Sequence, residues 1–288
     1  MLSAQIIEYL FYRKKLGLRE QTLRTDSKIL RFLTKKCDLA NSESVLEYLS
    51  NCPVSLCRKA NLATVYDGFA KHFKMPFQKP YYRREETIPF IPTNEEVEAL
   101  INRVRNIRHA ATLRLLKETG MRIGEACQLS FKDFDFERKT VRVRPEKHSH
   151  AREIKLSEKL VGMLQTMFAK KQFIPTFGAM RRCLERHRKV LAEAQNNPRF
   201  LQIHLHTFRH FKATMLYSQT KDILFVQRTL GHKTLQNTLR YTQLIEAQEE
   251  NGFICKAAKS LEEASKLIEI GFEYVTEIDG TKLFRKRK

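Results

Sequence analysis

The chain contains no tryptophan, and among its 288 residues are only 10 glycines and 8 prolines. So little glycine and proline excludes a collagen-like or low-complexity protein. Nowhere do about 18 apolar residues follow one another, so no membrane-spanning helix and no membrane partner are expected. The apolar run from Tyr9 to Tyr12 is also too short for a secretion signal.

Cysteine is sparse, with 6 residues and no CxxC pair. This spacing does not support a zinc ribbon, and it predicts reduced thiols in an intracellular protein. A bridge between Cys52 and Cys57 stays open for the case of a hyperthermophilic source.

Acidic residues are fewer than basic ones: the chain has 32 Asp and Glu and 53 Lys and Arg, which gives a formal net charge of +21. A charge of this size predicts a polyanionic partner, of which nucleic acid is the commonest. Ribosomal and membrane-surface proteins share the bias, so charge alone leaves the class open. The length predicts two domains, or one large domain with an appendage.

The first 78 residues predict a small helical bundle, because apolar residues recur at helical spacing from Ile6 to Phe73. Lysines and arginines on its polar faces could line a phosphate backbone, although a solvated surface is the better explanation of any single one of them. Residues 1–78 are therefore predicted to be a DNA-clamp domain. The four prolines between Pro76 and Pro92 predict an extended linker over residues 79–92.

Residues 93–250 predict a second domain that is mainly helical with a small antiparallel sheet. It begins with a capping box, Thr93 to Glu96, ahead of an apolar helical stripe. The pattern then alternates with period two in Thr140–Arg144 and again in Glu153–Leu156, which predicts two paired strands. A strongly basic helix follows, with three candidate DNA-binding residues: Arg181, Arg182 and Arg186.

Residues 251–288 predict a small tail made of one helix and one hairpin. Ser260 caps the helix, and Asp279-Gly280 predicts a two-residue turn. The implied register places Glu277 opposite Lys282 and Glu273 opposite Lys286. A unit of this size cannot bury a core alone, so we expect it to dock on its own catalytic domain or on a neighbouring protomer.

Two arginines and a tyrosine suit chemistry on a DNA phosphodiester. Cleavage without a metal needs a nucleophile, cations that hold the non-bridging oxygens, and an acid for the leaving oxygen. Arg122 and Arg209, each at the start of a predicted helix, supply planar guanidinium forks that match phosphate. Tyr241 is the candidate nucleophile, provided that the positive field lowers its pKa from about 10.

Several short stretches resemble, in order and spacing, the motifs of tyrosine recombinases, the Xer and phage-type integrases. Tyr241 follows His232 by nine residues and Arg209 by 32, as in that family. The helical bundle resembles the family's core-binding domain more loosely, and the tail hairpin resembles tails of archaeal members. The stretches that carry the resemblance are Thr119–Glu125, Lys147, His206–His210, Leu230–His232 and Tyr241.

The resemblance implies a fold with a helical core-binding bundle, a tyrosine-recombinase catalytic domain and a helix–hairpin tail. It also implies that Tyr241 attacks the scissile phosphate and leaves a 3′-phosphotyrosine and a free 5′-hydroxyl. Arg122 and Arg209 would hold the phosphate, and Lys147 would protonate the leaving 5′-oxygen. No metal, ATP or other cofactor is implied.

Three further roles follow from the resemblance. His206 would act as the acid–base partner of Tyr241, His232 would hydrogen-bond a phosphate oxygen, and Glu125 would support the arginines. The residues His206 and His210 also have metal-ligand spacing, but Arg209 lies between them and no HExxH glutamate is present. Phe208 and His210 are instead assigned to packing.

The identity of the acid is the least determined of these roles, because Lys155 and Lys139 flank the same hairpin as Lys147. Lys147 is preferred for its place in the turn. Beside it, His148 and His150 replace the family's more usual glycines, which leaves the shape of the turn open.

We therefore expect a cytoplasmic, nucleoid-associated site-specific recombinase that acts on double-stranded DNA as a tetramer on paired sites, possibly joined through the tail. A type IB topoisomerase is a second enzymatic interpretation, and a catalytically silent DNA-binding regulator is a third. The target sequence stays open, and so does the choice between chromosome resolution and integration of a mobile element.

Overall fold

The computed structural model describes residues 2–83, 88–146, 149–246, 253–278 and 280–287. The chain divides into two compact units, residues 1–87 and 88–288. The division falls inside the segment 79–92 that the prolines predict as a linker. The finer limits of a catalytic domain at 93–250 and a tail at 251–288 stay predictions.

Within residues 2–83, the described part of the first unit, four helices form. Their apolar faces surround a core that includes the fully buried Leu30, Leu33 and Tyr66. The Tyr66 hydroxyl donates to the carbonyl of Leu39 at 3.0 Å, which satisfies its polar end inside the core. The helices are α1 (Leu2–Lys15), α2 (Glu20–Leu33), α3 (Ser42–Asn51) and α4 (Leu56–His72).

The second unit is mainly helical. Its first helix starts at the predicted capping box, where Thr93 and Glu96 bond each other's backbone N–H groups. Most of the next helix is buried, so helices pack around it. Up to the tail, the helices are α5 (Asn94–Arg103), α6 (Ile107–Thr119), α7 (Ile123–Cys127), α8 (Glu158–Ala169), α9 (Phe177–Ala194), α10 (Thr207–Thr220), α11 (Ile223–Leu230) and α12 (Gln236–Glu246).

A three-stranded antiparallel sheet lies between α7 and α8. Two strands coincide with the predicted alternating segments, and Val141 pairs with Ile154. The third and shortest strand, at Phe134–Asp135, was not predicted, since two residues show no periodicity. The strands β1 (Phe134–Asp135), β2 (Thr140–Val143) and β3 (Arg152–Lys155) lie in that order.

The tail forms its own small sheet and helix around Ala258, Leu267 and Phe284. One of its strands was not predicted, and it pairs with the last strand of the chain. The elements are β4 (Phe253–Ala258), α13 (Leu261–Glu269), β5 (Glu273–Ile278) and β6 (Thr281–Arg287), with strand order β4-β6-β5.

The hairpin register of the tail was predicted in part. Glu277 lies opposite Lys282 as expected, but Glu273 lies opposite Arg285 and not Lys286. An irregularity between Tyr274 and Thr276 adds one residue to β5, which shifts the pairing beyond it. The turn residue Asp279 lies outside the described residues.

Among the described residues, no helix has the length and apolar character needed to cross a bilayer. Cys52 is buried, Cys57 is exposed, and both are free thiols, so the alternative bridge between them is not formed.

Candidate active site

Among the described residues, the helices α7, α10 and α12 and the turns at Gly120 and Gly231 position the candidate side chains. Arg209 and His210 lie in the first turn of α10, and Tyr241 lies in the middle of α12. A small apolar cluster joins these helices to α11, and it includes Ala213, Leu230 and Tyr241 itself. The helices α10, α11 and α12 therefore pack on one another through this cluster, and Tyr241 is part of it.

Arg209 is almost completely buried, with 1% of its surface exposed. Its two terminal nitrogens donate to the carbonyls of Gly120 and Leu230, each at 2.8 Å. Gly120 can present that carbonyl because it ends α6 in the left-handed conformation, with φ at 63°. Since a guanidinium has five N–H donors, three remain for another acceptor.

Glu125 contacts the second candidate arginine, Arg122, and the glutamate side chain is fully buried. Its carboxylate accepts the backbone N–H of Arg122 at 2.9 Å and approaches the Arg122 guanidinium at 3.4 Å. The arginine at the start of α7 and the glutamate three residues later thus bond each other, as the sequence predicts for a supporting residue.

A third arginine completes this ion-pair group, and it was not singled out from the sequence. Arg152, the first residue of β3, donates to the Glu125 carboxylate at 2.8 Å. The Ser149 hydroxyl donates to the same carboxylate at 2.9 Å. These partners lie 24 to 27 residues away along the chain, so no local pattern indicates them.

The hairpin between β2 and β3 also contacts the turn that carries His232. Ser149 forms an isolated β-bridge with His232, and the His150 N–H donates to the carbonyl of Gly231 at 3.2 Å. Gly231 has φ at 71°, and a Cβ there would lie 2.8 Å from an Arg152 nitrogen. A side chain at that position would therefore separate the hairpin from the turn.

His232 is buried, and its Nδ1 lies 2.8 Å from the hydroxyl of Thr238. Thr238 is completely buried in the first turn of α12. This hydrogen bond fixes the orientation of the imidazole and connects it to the helix that carries Tyr241.

Tyr241 is 2% exposed, and its hydroxyl lies 3.0 Å from Nδ1 of His210. The sequence pattern assigns His210 to packing, and the structure corrects that assignment, because this histidine is a hydrogen-bond partner of the candidate nucleophile. The signal available in the sequence was its place one residue after Arg209 in the same helical turn.

His206, which the resemblance makes the acid–base partner of Tyr241, is exposed at the start of α10. Its ring packs edge-on against the ring of His210, with centroids 4.7 Å apart. The two imidazoles thus form a pair, in which His210 is the one hydrogen-bonded to Tyr241.

Burial sets the charge states in this group. Burial lowers the pKa of His210 to about 4 and that of His232 to about 3, with the neighbouring cations adding to both shifts. Both imidazoles are therefore neutral at pH 7. Burial, reinforced by Arg122, also lowers the pKa of Arg209, to about 10, which leaves it charged at that pH.

The pKa of Tyr241 is raised, not lowered as the sequence argument required. Burial raises it, and the opposing fields of Arg209, Arg240 and Arg122 do not compensate. In this conformation the phenol keeps its proton.

The candidate acid Lys147 lies outside the described residues, as does His148. Of its two alternatives, Lys139 forms an ion pair with Glu158 at 2.5 Å, and Lys155 is exposed on β3.

The predicted DNA-binding residues Arg181, Arg182 and Arg186 are all exposed on α9. Arg181 forms an ion pair with Glu185 at 3.3 Å. Within the part of the chain that the structure describes, no group of His, Cys, Asp and Glu is arranged to hold a metal ion.

A comparison with protein-family models decides the membership of the chain. The model described as the phage integrase family matches residues 92–248, more than half of the 288 residues. The chain belongs to the phage integrase family. Every described member of the predicted site lies inside the matched segment.

Several curated proteins similar to this phage integrase family member are named as Xer recombinases. Tyrosine recombinase XerA of Pyrococcus horikoshii is 28% identical over 169 residues, which are 55% of this chain and 58% of that protein. Tyrosine recombinase XerC of Corynebacterium glutamicum is 31% identical over 52% of this chain and 51% of its own length. The chain thus spans about half the length of several curated relatives that it matches.

Other relatives match over more of their length, and solved structures share the fold. Tyrosine recombinase XerD of Chlamydia muridarum is 26% identical over 72% of this chain and 78% of that protein. The Tn1549 transposon integrase, solved with circular intermediate DNA, superposes with a TM-score of 0.65 over 92% of this chain and 99% of that one, at 17% identity. A lambda integrase dimer bound to a core site gives 0.61 over 83% and 76%, at 14% identity. The tyrosine recombinase fold of the chain is therefore shown.

Proposed function

We propose that the chain is a site-specific DNA recombinase that cleaves and rejoins duplex DNA through a 3′-phosphotyrosine on Tyr241. The observation that carries this proposal is the hydrogen bond between Tyr241 and His210 beside the buried Arg209. A phenol bonded to a neutral imidazole in a field of arginines is suited to become a nucleophile toward a phosphate.

The reaction would begin with proton transfer from the Tyr241 hydroxyl to Nδ1 of His210, which is neutral at pH 7 and can accept it. The phenolate oxygen then forms a bond to phosphorus as the bond from phosphorus to the 5′-oxygen breaks. Lys147 would supply the proton that converts the leaving oxygen to a 5′-hydroxyl. The reverse sequence reseals a strand, and because the diester energy is conserved in the covalent bond, no ATP is needed.

Arg122 and Arg209 would neutralise the charge that builds on the non-bridging oxygens. Glu125 forms a hydrogen bond with Arg122, and the two carbonyl partners of Arg209 fix the plane of its guanidinium. Preorganised donors of this kind accelerate a reaction because they need no reorientation in the transition state. His232, held by Thr238, would add a hydrogen bond to the same phosphate.

The partner would be double-stranded DNA, bound by the basic faces of the chain. Binding of two sites by four copies, with the tail reaching a neighbour, is part of this proposal. DNA is favoured over other polyanions because the same chain combines a net charge of +21 with groups suited to phosphodiester transfer.

The test is formation of a covalent adduct on nicked duplexes with randomised half-sites, in EDTA and without ATP. We expect the wild type to give a slow-migrating adduct on a denaturing gel, with the label retained when it lies on the strand 5′ to the break. Tyr241→Phe should give none while binding DNA normally. Tyr217→Phe is the matched control, since Tyr217 packs against the same apolar cluster.

Each alternative predicts another result. An adduct that survives in Tyr241→Phe would refute the assigned nucleophile. Adduct formation with rapid relaxation of site-free plasmids, but no joining between two duplexes, would identify a topoisomerase. Tight binding without an adduct on any substrate in the library would identify a silent regulator.

A further inference from the structure

Arg152, the first residue of β3, connects the β2–β3 hairpin to α7. Its side chain is 7% exposed, and one terminal nitrogen donates to the buried carboxylate of Glu125 on α7 at 2.8 Å. The other terminal nitrogen donates to the Ser149 hydroxyl at 3.4 Å and to the carbonyl of His150 at 3.3 Å. The guanidinium therefore links the helix that begins after Arg122 with the second arm of the hairpin.

The same side chain borders the turn that carries His232. A Cβ at Gly231 would lie 2.8 Å from the Arg152 nitrogen that contacts the hairpin. The Ser149 hydroxyl lies 3.1 Å from the carbonyl of Gly231. Three segments that are far apart in the sequence thus meet at one guanidinium. Arg152 can therefore set the relative placement of these segments without touching the phosphate.

The first arm of the hairpin contacts α7 as well. Gly124 lies in the first turn of α7, and a Cβ at that position would have both carboxylate oxygens of Glu146 within 2.8 Å. Burial raises the pKa of the Cys127 thiol at the end of α7, and the negative charge of Glu146 raises it further. The carboxylate of Glu146 thus lies close to α7, and a side chain at Gly124 would displace it.

Glu146 and Ser149 are the described residues that flank the candidate acid Lys147 in the sequence. Consecutive Cα atoms stay about 3.8 Å apart, so a hairpin arm that leaves a helix takes its neighbours in the chain with it. On the second arm, such a movement must break the buried ion pair between Arg152 and Glu125, which is costly inside a protein. The ion pair therefore keeps this arm of the hairpin on α7.

We propose that Arg152 is a positioning residue for the protonation of the leaving 5′-oxygen, because it holds the hairpin that carries the acid on the helix that begins after Arg122. The proposal rests on the proposed function, which supplies the cleavage by Tyr241. In that step the bond from phosphorus to the 5′-oxygen breaks, and the oxygen keeps the electron pair and takes a proton from the acid. Arg152 itself gives up no proton, since a guanidinium keeps its charge.

The test changes the leaving group. On a duplex site selected by the adduct assay, sulfur replaces the bridging 5′-oxygen at the mapped scissile phosphate. A thiol has a pKa of about 8.5, so a thiolate leaves without help from an acid, whereas an alkoxide does not. Arg152→Lys keeps the charge but loses the planar fork that bonds Glu125 and the hairpin together. We expect it to slow adduct formation about 10- to 100-fold on the oxygen substrate and less than about threefold on the sulfur substrate.

Three further variants make the comparison quantitative. Lys147→Ala gives the ratio of the two rates when the assigned acid is lost, and Gly124→Ala, which displaces Glu146 from α7, should shift the ratio in the same direction by a smaller factor. Arg138→Lys is the matched control, the same replacement at an exposed position before β2, and it should change neither rate more than about threefold. Both rates are measured on one protein sample, so their ratio does not depend on the fraction of folded molecules.

Equal losses of Arg152→Lys on both substrates would overturn the proposal and assign the residue to the support of Arg122 through Glu125. Unchanged rates on both substrates would also overturn it. The proposed function can fail separately: if Tyr241→Phe still forms the adduct, the assigned nucleophile is wrong, while the comparison of leaving groups keeps its meaning. If sulfur rescues Arg152→Lys but not Lys147→Ala, the assigned acid is wrong, and Arg152 positions another acid of the hairpin.

Discussion

The candidate active site has two sides, one around Glu125 and one around Tyr241, and different interactions hold the side chains of each. Around Glu125 the groups are mainly charged: two cations, Arg122 and Arg152, and the Ser149 hydroxyl all donate to one carboxylate. At Tyr241 the hydrogen-bonded pair itself is neutral, because burial suppresses the charge of His210 and of the phenol alike. The first side is already arranged for an anion, whereas the second must leave its buried state before it can react.

The largest effect should come from Glu125→Gln, which removes the charge from the first side. Breaking a buried ion pair from one side leaves Arg152 uncompensated, so the free energy of unfolding at pH 7 should fall by about 3 kcal/mol. Urea denaturation measures this loss. Glu185→Gln, which removes the carboxylate of the exposed pair with Arg181, should change it by less than about 0.5 kcal/mol.

The loss of unfolding free energy in Glu125→Gln should also depend on pH. Burial would raise the pKa of Glu125, but its bonds from Arg152, Arg122 and Ser149 outweigh burial and lower it. A lowered carboxyl pKa contributes stability that is complete above the unfolded value, about 4.3, and is lost as pH falls through the folded value. The difference between wild type and Glu125→Gln should therefore shrink below pH 4.3. A difference that stays constant down to pH 2 would contradict the ion-pair explanation.

A smaller effect is expected on the neutral side from His210→Phe. The phenol loses its proton acceptor, so adduct formation on a nicked duplex should slow about 10- to 100-fold. His210→Gln should recover part of the rate, because an amide oxygen can accept the same hydrogen bond. The folded pKa of about 4 keeps His210 neutral in the wild type at pH 5 to 8.

A comparison with His206→Gln shows which of the two histidines accepts the proton of Tyr241. If His210 accepts the proton, His206→Gln should slow the adduct less than His210→Phe does. A greater loss in His206→Gln would return the role to His206.

The smallest effect concerns the link between the two sides, tested by Thr238→Val. The variant removes one buried hydrogen bond to His232, so the free energy of unfolding should fall by about 1 to 2 kcal/mol. The adduct rate should fall less than tenfold. Thr166→Val, at an exposed position on α8, is the control and should be close to neutral. A neutral Thr238→Val would mean that the bond does not hold the imidazole.

Sequence reasoning found the elements whose signals are local. The Thr93 capping box, the stop of α6 at Gly120 and the alternation in β2 and β3 all depend on neighbours within a few residues, and each is present. The shift that places Glu273 opposite Arg285 was missed, because a bulge adds a residue without a sequence signature.

Within the site, sequence reasoning missed two of the hydrogen-bond partners. Arg152 contacts Glu125 across 27 positions, and His210 contacts Tyr241 across 31. Such contacts depend on how helices and hairpins pack together, which no periodicity encodes. The burial that raises the pKa of Tyr241 is a property of the same packing.

The position of Thr238 three residues before Tyr241 has a kinetic consequence. Both residues lie on α12, and each forms a hydrogen bond with a histidine outside that helix. A turn of the helix that exposed the phenol would therefore also strain the hydrogen bond between Thr238 and His232. If cleavage requires the helix to turn, its rate would be the chemical rate multiplied by the fraction of molecules in which the helix has turned. DNA, or a neighbouring copy, that holds α12 in that arrangement would accelerate cleavage without touching a reacting atom.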